Sequence, residues 1–468
     1  MSLWRKKPIE RLIQESEKTS LKRALSAFDL TLLGIGAIIG TGIFVLTGVA
    51  SAEYAGPALV LSFILSGLAA AFAALSYAEF ASTVPVSGSV YTYTYATLGE
   101  FLAWIIGWVL ILEYTLAVSA VAVGWSGYFQ SLLNGFGLGL PEYLIKNPAE
   151  GGLVNLPAVL IILFITWLLA RGVKESARFN NLIVFLKVAI VLLFILVGAF
   201  YVKPENWTPF MPFGWSGVFT AAAVVFFAYV GFDAVATAAE EVRNPKRDLP
   251  IGLIGSLAVC TILYVIVAAV LNGMVPYTKL NTSAPVAFAL EQVGQNWLAG
   301  IISASAVITI TTVMLVMAYG QTRIFFAMSR DGLLPRVFSR VHPRYKTPHI
   351  NTWITGLVAA GLAGFIPLGR LAELVNMGTL TAFVLIQIGV IILRRTQPDL
   401  PRPFRAPGVP VTPILGALCA LFLMGNLPGI TWMAFFIWLV IGLAVYFLYG
   451  YRNSKLANAY PEASEKVS

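Results

Sequence analysis

The chain has 468 residues, of which 58% are hydrophobic and only 11% are charged, and its mean hydropathy is +0.82. Soluble domains carry about 25% charged residues, so this chain has too few polar side chains to cover a water-facing surface and must be surrounded by lipid. Its net charge of +9 does not indicate nucleic-acid binding, because the basic residues lie in short loops between apolar segments and not on one face.

Apolar segments long enough to cross a bilayer recur along the chain. A spanning helix needs about 20 mostly apolar residues, and windows of this kind predict twelve spans, which we number in chain order. They cover residues 27–52, 57–84, 99–131, 155–170, 179–201, 216–239, 250–275, 298–325, 350–367, 371–393, 411–427 and 430–451. We therefore expect an all-α polytopic membrane protein without a separate soluble domain.

The positions of the basic residues predict how the spans are oriented. Of the 31 Lys and Arg residues, 26 lie in the two tails and in the loops of one side, four lie on the other side, and Lys187 lies within span 5. Cytoplasmic loops carry an excess of Lys and Arg. We therefore expect both tails, 1–26 and 452–468, to be cytoplasmic.

Residues that bind metals or form disulfides are scarce. Cys260 and Cys419 lie within apolar segments, and His342 and His349 fall in one polar loop. The sequence therefore predicts neither a disulfide framework nor a metal site.

Glycines cluster in the middle of span 1, where the sequence GIGAIIGTGIF occupies residues 34–44. In lipid, a broken backbone is tolerated only where protein or a water-filled cavity surrounds it. Small residues also allow close packing of helices, but these glycines are denser than packing requires. We therefore predict that span 1 is broken for a functional reason.

Span 6 contains a second irregular sequence, FFAYVGFD at 226–233. Aromatic residues flank Gly231, and Asp233 follows at membrane depth. A carboxylate at the centre of a spanning helix costs roughly 2.5–3.5 kcal/mol on insertion scales, so such residues are candidates for function. The sequence predicts a second broken helix here.

The two predicted breaks occupy corresponding positions if spans 1–5, residues 27–201, and spans 6–10, residues 216–393, are inverted repeats. Spans 11 and 12, residues 411–451, are then additional helices. Broken helices at matching places in two repeats indicate a substrate site near the membrane midplane of a secondary transporter.

The polar groups exposed by two such breaks suit the two ends of an amino acid. The first N–H groups of a half-helix carry a partial positive charge that favours a carboxylate, and the carbonyl end of the other break favours an ammonium. The N–H groups are those of Thr41, Gly42 and Ile43, and the carbonyl groups are those near Phe227, Ala228 and Val230.

Seven motifs resemble those of the amino acid–polyamine–organocation (APC) superfamily, close to its cationic amino acid transporter branch and the bacterial relatives of that branch. They are GIGAIIGTGIF at 34–44, YAEF at 77–80, PVSGSVYTY at 85–93, EY at 113–114, FFAYVGFD at 226–233, EEVRNPKRDLP at 240–250 and GQTRIFFAMSRDGLLP at 320–335. The resemblance implies a fold of five plus five inverted helices, followed here by two more.

The resemblance also implies roles for individual residues. In substrate binding, Ile38, Thr41 and Gly42 match the carboxylate motif, whereas Phe227, Ala228 and Val230 match the ammonium site, with Phe227 also serving as a lid. The resemblance gives three further positions a role. Glu113 matches an acidic residue near the pocket, and Met317 matches a residue that limits pocket size. Lys187 lies where sodium-coupled relatives hold a sodium ion.

Apart from Arg323 at the end of span 8, Lys187 is the one basic residue within a predicted span. Its side chain is too far from the cytoplasmic end of the span to snorkel without strain. We expect its ammonium to bind carbonyl groups left open by the break, near Gly34 to Ile38. Burial favours the neutral form of a lysine, so a lysine that loses and regains its proton would couple transport to protons.

Two further residues are expected to shape the pocket. Intramembrane acids are candidates for function, and Glu113 would either pair with a basic substrate or organise water beside a neutral one. Methionine within a span is usually core filler, but Met317 at the matched position would shorten the cavity. This favours small or medium neutral side chains over arginine.

Three acidic residues are expected to act in gating or in structure. Asp233 is expected to stabilise the unwound part of span 6, and Glu79 to form a gate or a packing contact. A cytoplasmic ion pair is expected between Lys22 or Arg23 and the acidic pair Glu240 and Glu241.

The sequence therefore predicts a secondary active transporter that imports L-amino acids into a bacterial cell by proton symport, with no other cofactor. A carrier or exchanger for cationic amino acids with the same fold is an alternative, and a membrane sensor or a membrane-embedded enzyme is a remote one. A small single-helix membrane subunit is a further expected partner. No nucleophile with a base and no metal ligands stand out at mid-depth, so we do not expect an enzyme.

Overall fold

The computed structural model describes residues 3–9, 12, 24–86, 90–172 and 177–459. These residues form an all-helical protein in which each of the twelve predicted spans corresponds to a helix or to a broken helix. Eight helical stretches within the described ranges are long and apolar enough to cross a bilayer, and three shorter apolar helices accompany them. The protein is therefore a polytopic membrane protein.

The helices of the first five spans begin and end within a few residues of the predicted bounds. Span 1 consists of the helix Ala27–Ile38 and a second helical segment over 42–55. Spans 2 to 5 are Leu59–Thr83, Glu100–Gly135, Leu156–Ala170 and Ala177–Ala199.

Spans 6 to 12 follow the same pattern. Span 6 consists of Gly214–Val225, a 3-10 turn at Phe226–Tyr229 and the short helix Ala234–Thr237. Spans 7 to 12 are Pro245–Met274, Asn296–Arg330, His349–Phe365, Leu368–Thr396, Val411–Gly425 and Gly429–Val445.

Two short helices between successive spans were not predicted, because they are too short for a search based on spanning segments. Val90–Thr97 lies between spans 2 and 3, and Pro285–Gln292 lies between spans 7 and 8. The predicted loop at 132–154 begins later than expected, because span 3 continues to Gly135, and it contains only two 3-10 turns.

The spans pack in two groups with a cavity between them. Span 7 packs most extensively against spans 1 and 2, whereas span 3 packs most extensively against spans 8 and 10, and span 4 packs against span 9. This arrangement places the broken spans 1 and 6 next to spans 3 and 8, where the candidate site lies.

Lys7, near the start of the chain, and Lys455, after span 12, both contact Asp331 at the end of span 8. The ammonium of Lys7 lies 2.7 Å from the Asp331 carboxylate, and the N–H of Lys455 donates to its carbonyl oxygen. The segment around Lys7 and the short helix Lys455–Ala459 therefore lie on the same face of the protein, as an even number of spans requires.

Candidate functional site

Span 1 is broken at Ile39 and Gly40. The helix Ala27–Ile38 ends where Ile39 takes up an extended conformation, with φ −73° and ψ 105°. Helical hydrogen bonding resumes at Phe44, whose N–H donates to the carbonyl of Gly40. The N–H groups of the three residues in between therefore have no acceptor within the helix. They belong to Thr41, Gly42 and Ile43.

The side chain of Thr41 is already committed to a neighbouring span. Its hydroxyl donates to the carbonyl of Val121 in span 3 at 3.2 Å, and the residue is buried. A ligand at this position would therefore meet the backbone N–H of Thr41 and not its hydroxyl.

Span 6 is broken over a longer stretch. After the 3-10 turn Phe226–Tyr229, Val230 is extended and Gly231 has φ +113°. Residues with a side chain rarely adopt such a positive φ, which explains the glycine. The carbonyl of Phe227 accepts from Val230 N–H, and helical structure returns at Ala234.

The two breaks are in direct contact. A Cβ atom added to Gly42 would lie 2.4 Å from Cα of Ala228, and one added to Gly231 would lie 2.9 Å from the carbonyl oxygen of Ala37. Only glycine allows the two backbones to approach so closely. The N–H end of one break therefore faces the irregular backbone of the other, and Met317 Cε lies 3.0 Å from the added Cβ of Gly231.

A cavity extends from the break in span 6 towards the face on which Lys7 and Asp331 lie. Three of the nine residues predicted to bind substrate line it, namely Glu113, Val230 and Met317, and Asp233 lines it as well. Towards its mouth, the cavity is lined by Tyr91, Arg323 and Arg330. The other six lie in or beside the two breaks, outside the cavity lining: Ile38, Thr41, Gly42, Ile43, Phe227 and Ala228.

Glu113 extends from span 3 towards span 10 and is only 3% exposed. Its Oε2 atom has no hydrogen-bond partner among the described residues. A buried acceptor without a donor is costly, so this carboxyl has capacity left for a water molecule, a proton or a ligand.

The ammonium of Lys187 lies among the carbonyl groups before the break in span 1, where we expected it from the sequence. Nζ donates to the carbonyl of Gly36 in span 1 at 2.6 Å, and the side chain is 1% exposed. The charge therefore does not snorkel to the membrane surface. It lies at the carbonyl end of the helix Ala27–Ile38, beside Gly36, which is three residues before the break begins at Ile39.

Two other side chains that contact the breaks were not predicted from the sequence. The Tyr264 hydroxyl donates to Ile38 O at 2.9 Å, and the Asn376 amide donates to Ala223 O at 2.7 Å and Val224 O at 2.9 Å. Polar residues at membrane depth were the available signal, but only charged ones were singled out.

Glu79 lies away from the cavity. Its carboxylate accepts from Arg394 at 2.8 and 2.6 Å and from the backbone N–H of Ala406 at 2.8 Å, and Arg402 lies 3.5 Å away. It therefore fixes the loop between spans 10 and 11 to the end of span 2.

Glu241 contacts the start of span 1 through its backbone. Its carbonyl accepts from the N–H groups of Ala24 and Leu25, which joins the ends of spans 1 and 6. The expected ion pair involves Lys22 and Arg23, which lie outside the described residues, as does the side chain of Glu240.

Comparison with known proteins identifies the family. The model of the amino acid permease family matches residues 25–448. The chain is 61% identical over 457 residues to the methylthioribose transporter of Bacillus subtilis strain 168, covering 97% of this chain and 99% of the relative. It is also 61% identical over 461 residues to the branched-chain amino acid permease BcaP of the same strain, with the same coverage.

A plant relative shows the same relationship at lower identity. The vacuolar cationic amino acid transporter 4 of Arabidopsis thaliana is 40% identical over 408 residues, which are 85% of this chain and 68% of the relative. All three relatives are named as transporters or permeases and none as an enzyme. The chain therefore belongs to the amino acid permease family of the APC superfamily and is a multi-pass membrane permease.

Proposed function

We propose that this permease imports neutral L-amino acids into a bacterial cell by proton symport, with small or medium side chains preferred and both tails cytoplasmic. The observation that supports this most is the contact between the two breaks. The N–H groups of Thr41, Gly42 and Ile43 have no acceptor within their own helix, and Gly42 lies against the backbone of Ala228. One ligand can therefore meet N–H donors at one end and carbonyl acceptors at the other, as a zwitterionic amino acid requires.

The two arginines nearer the mouth of the cavity support a zwitterion over a cationic amino acid. Glu113 and Asp233 lie near the breaks, whereas Arg323 and Arg330 lie nearer the mouth. A cationic side chain would have to pass two guanidinium groups of its own sign. A neutral side chain meets no such repulsion, which makes the cationic carrier the weaker alternative.

The relatives provide a second candidate substrate. The two Bacillus subtilis relatives are equally identical to this chain, yet one is named for branched-chain amino acids and the other for methylthioribose. Methylthioribose is an uncharged sugar thioether with neither carboxylate nor ammonium. It would leave the N–H groups at the break of span 1 without an anionic partner, so the site favours an amino acid.

Proton coupling is proposed for Lys187. Its ammonium binds Gly36 O directly before the break in span 1, and loss of the proton would remove the charge from that contact. A neutral amine is a weaker donor to a carbonyl than an ammonium. Protonation would thus change how firmly the inner half of span 1 is held.

The experiment is uptake of radiolabelled leucine and alanine by proteoliposomes, with and without an inward proton gradient. Unlabelled leucine, alanine, arginine and methylthioribose serve as competitors. We expect the gradient to drive accumulation, and leucine or alanine to compete best. If arginine or methylthioribose competed most strongly, that compound and not a neutral amino acid would be the preferred substrate. If the proton gradient did not change uptake, transport would not be coupled to protons.

A further inference from the structure

The contact between Lys187 and Gly36 has a counterpart at the other break. Asn376 of span 10 donates to Ala223 in span 6, as Lys187 of span 5 donates to Gly36 in span 1. The paired residues are 151 and 153 positions apart in sequence. Gly36 and Ala223 also occupy the same place, two residues before the last residue of the helix that precedes each break.

A second pair of contacts joins corresponding helices, although the two carbonyl groups lie at different distances from their helix ends: Ile38 is the last residue of its helix, and Ala222 lies three residues before the last. Tyr264 of span 7 lies 2.9 Å from Ile38 O, and Ser66 of span 2 lies 2.7 Å from Ala222 O. Spans 5 and 10 are the fifth helices of the two proposed repeats, and spans 2 and 7 are the second helices. Each break is therefore held by the fifth helix of its own repeat and by the second helix of the other.

These contacts provide hydrogen-bond donors for backbone carbonyl groups near the helix ends. The last carbonyl groups of a helix lack intrahelical donors, and in a membrane they must find partners within the protein. The amide of Asn376 is fully buried and donates to Ala223 O and Val224 O, of which Val224 O also accepts from the N–H of Phe226. A flipped amide would place its oxygen against both carbonyls, so its orientation is fixed.

The two counterparts differ in one chemical respect. A lysine can exchange a proton, whereas a primary amide does not titrate. The asparagine holds span 6 in the same way at every pH, and only the contact in span 1 can change with protonation. The Oδ1 atom of Asn376 also has no partner within the part of the chain that the structure describes, so the amide has an acceptor left for water.

We propose that Asn376 is the positioning residue of the span 6 break, the non-titrating counterpart of Lys187. It holds the carbonyl end of Gly214–Val225 so that Phe226–Val230 keeps the irregular conformation that the substrate ammonium meets. Its importance for transport rests on the proposed function, whereas the restraint on the backbone does not.

The test compares Asn376→Leu, which has a similar size and no donor, with Asn376→Asp, which has a donor only when protonated. Thr381→Ala is the control, because the Thr381 hydroxyl lies on the same helix and donates only to its own span, at Met377 O. Hydrogen exchange over 226–230 reports on the restraint without substrate, and binding of labelled leucine in detergent reports on the site.

We expect Asn376→Leu to speed exchange at 226–230 selectively and to weaken leucine binding about tenfold or more, since a buried carbonyl loses its donor. Asn376→Asp should keep more of the restraint and of the affinity than Asn376→Leu at acidic pH, where its carboxyl is protonated and donates. It should lose this advantage as the pH rises, which a general packing defect would not do. The proposal would be overturned if both variants kept the wild-type rate of hydrogen exchange at 226–230 and the wild-type affinity for leucine. It would also be overturned if hydrogen exchange rose equally in all spans. If the wild-type protein binds no amino acid, the proposed function fails, and exchange at 226–230 alone decides the role of Asn376.

Discussion

Lys187 and Gly36 join span 5 to the last turn of span 1 before its break, through a hydrogen bond of 2.6 Å between an ammonium and a backbone carbonyl. The lysine is 1% exposed, so this contact replaces the water that the charge would otherwise bind. An ammonium buried in this way is costly unless it is paired. Under the proposed function, this contact is the one through which gain or loss of a proton would act on the break in span 1.

Lys187→Ala is expected to abolish accumulation driven by a proton gradient while leaving measurable substrate exchange. The variant removes the titrating group but leaves the N–H groups of Thr41 to Ile43 in place. Gradient-driven uptake and counterflow of leucine, measured on the same proteoliposomes, separate the two effects. Lys203→Ala, in an exposed loop, is the control. Full gradient-driven uptake by Lys187→Ala would exclude this lysine from coupling.

Glu113→Gln is expected to retain most leucine uptake, whereas Glu113→Ala should lose it. No salt bridge joins Glu113 to a basic residue in the described ranges, and an unpaired buried carboxyl favours its neutral form. Glutamine is the neutral isostere, while alanine leaves a hole in the wall of the cavity. Initial rates at several leucine concentrations give KM and kcat for both. A Glu113→Gln protein without leucine uptake would show that the negative charge itself is required.

Met317→Ser is expected to admit longer side chains. The methionine lines the cavity beside Gly231, and its thioether occupies space that serine leaves empty. Competition of arginine and lysine against labelled leucine should become measurable in the variant, with leucine uptake retained. An unchanged order of competitors would mean that Met317 does not limit the length of the substrate.

Gly231→Ala is expected to destabilise the protein and to impair transport. The residue has φ +113°, and an added Cβ would lie 2.9 Å from Ala37 O. Strain of this kind typically costs more than about 1 kcal/mol. Gly361→Ala is the control, since it lies within the helix His349–Phe365 and nothing lies within 4 Å of an added Cβ. Thermal unfolding in detergent should fall for the first variant and stay or rise for the second.

The sequence predicted the spans and the breaks well because both depend on local composition. Apolar length locates a span whatever its neighbours are, and the glycines of 34–44 weaken a helix through their own backbone freedom. The exact point of the break at Ile39 and Gly40 lies within that cluster.

The polar contacts that hold the breaks depend instead on distant parts of the chain. Ser, Thr, Tyr and Asn within a span often bond to their own helix, as Thr261 does with Leu257, so their presence does not indicate a partner elsewhere. Asn376 and Tyr264 differ from such residues only because folding places them beside a helix end. Their roles could be predicted only after the packing of spans 1, 6, 7 and 10 was known.

Glu79 provides a final prediction, which separates a structural contact from a gate. Its carboxylate is 1% exposed and binds Arg394, with Arg402 nearby. Removing one member of a buried ion pair costs about 3–5 kcal/mol. Glu79→Gln should therefore lower the unfolding temperature, while KM for leucine in the folded fraction stays unchanged.

Glu142→Gln is the matched control for this substitution, because Glu142 forms an ion pair with Lys146 at 2.6 Å but is 79% exposed. Exposed ion pairs contribute little to stability, so this variant should unfold at the wild-type temperature. If Glu79→Gln instead keeps its unfolding temperature and changes the accessibility of a cysteine label in the cavity, Glu79 acts as a gate. The bonds from Arg394 and Ala406 to its carboxylate favour the structural role, since they fix a loop outside the cavity.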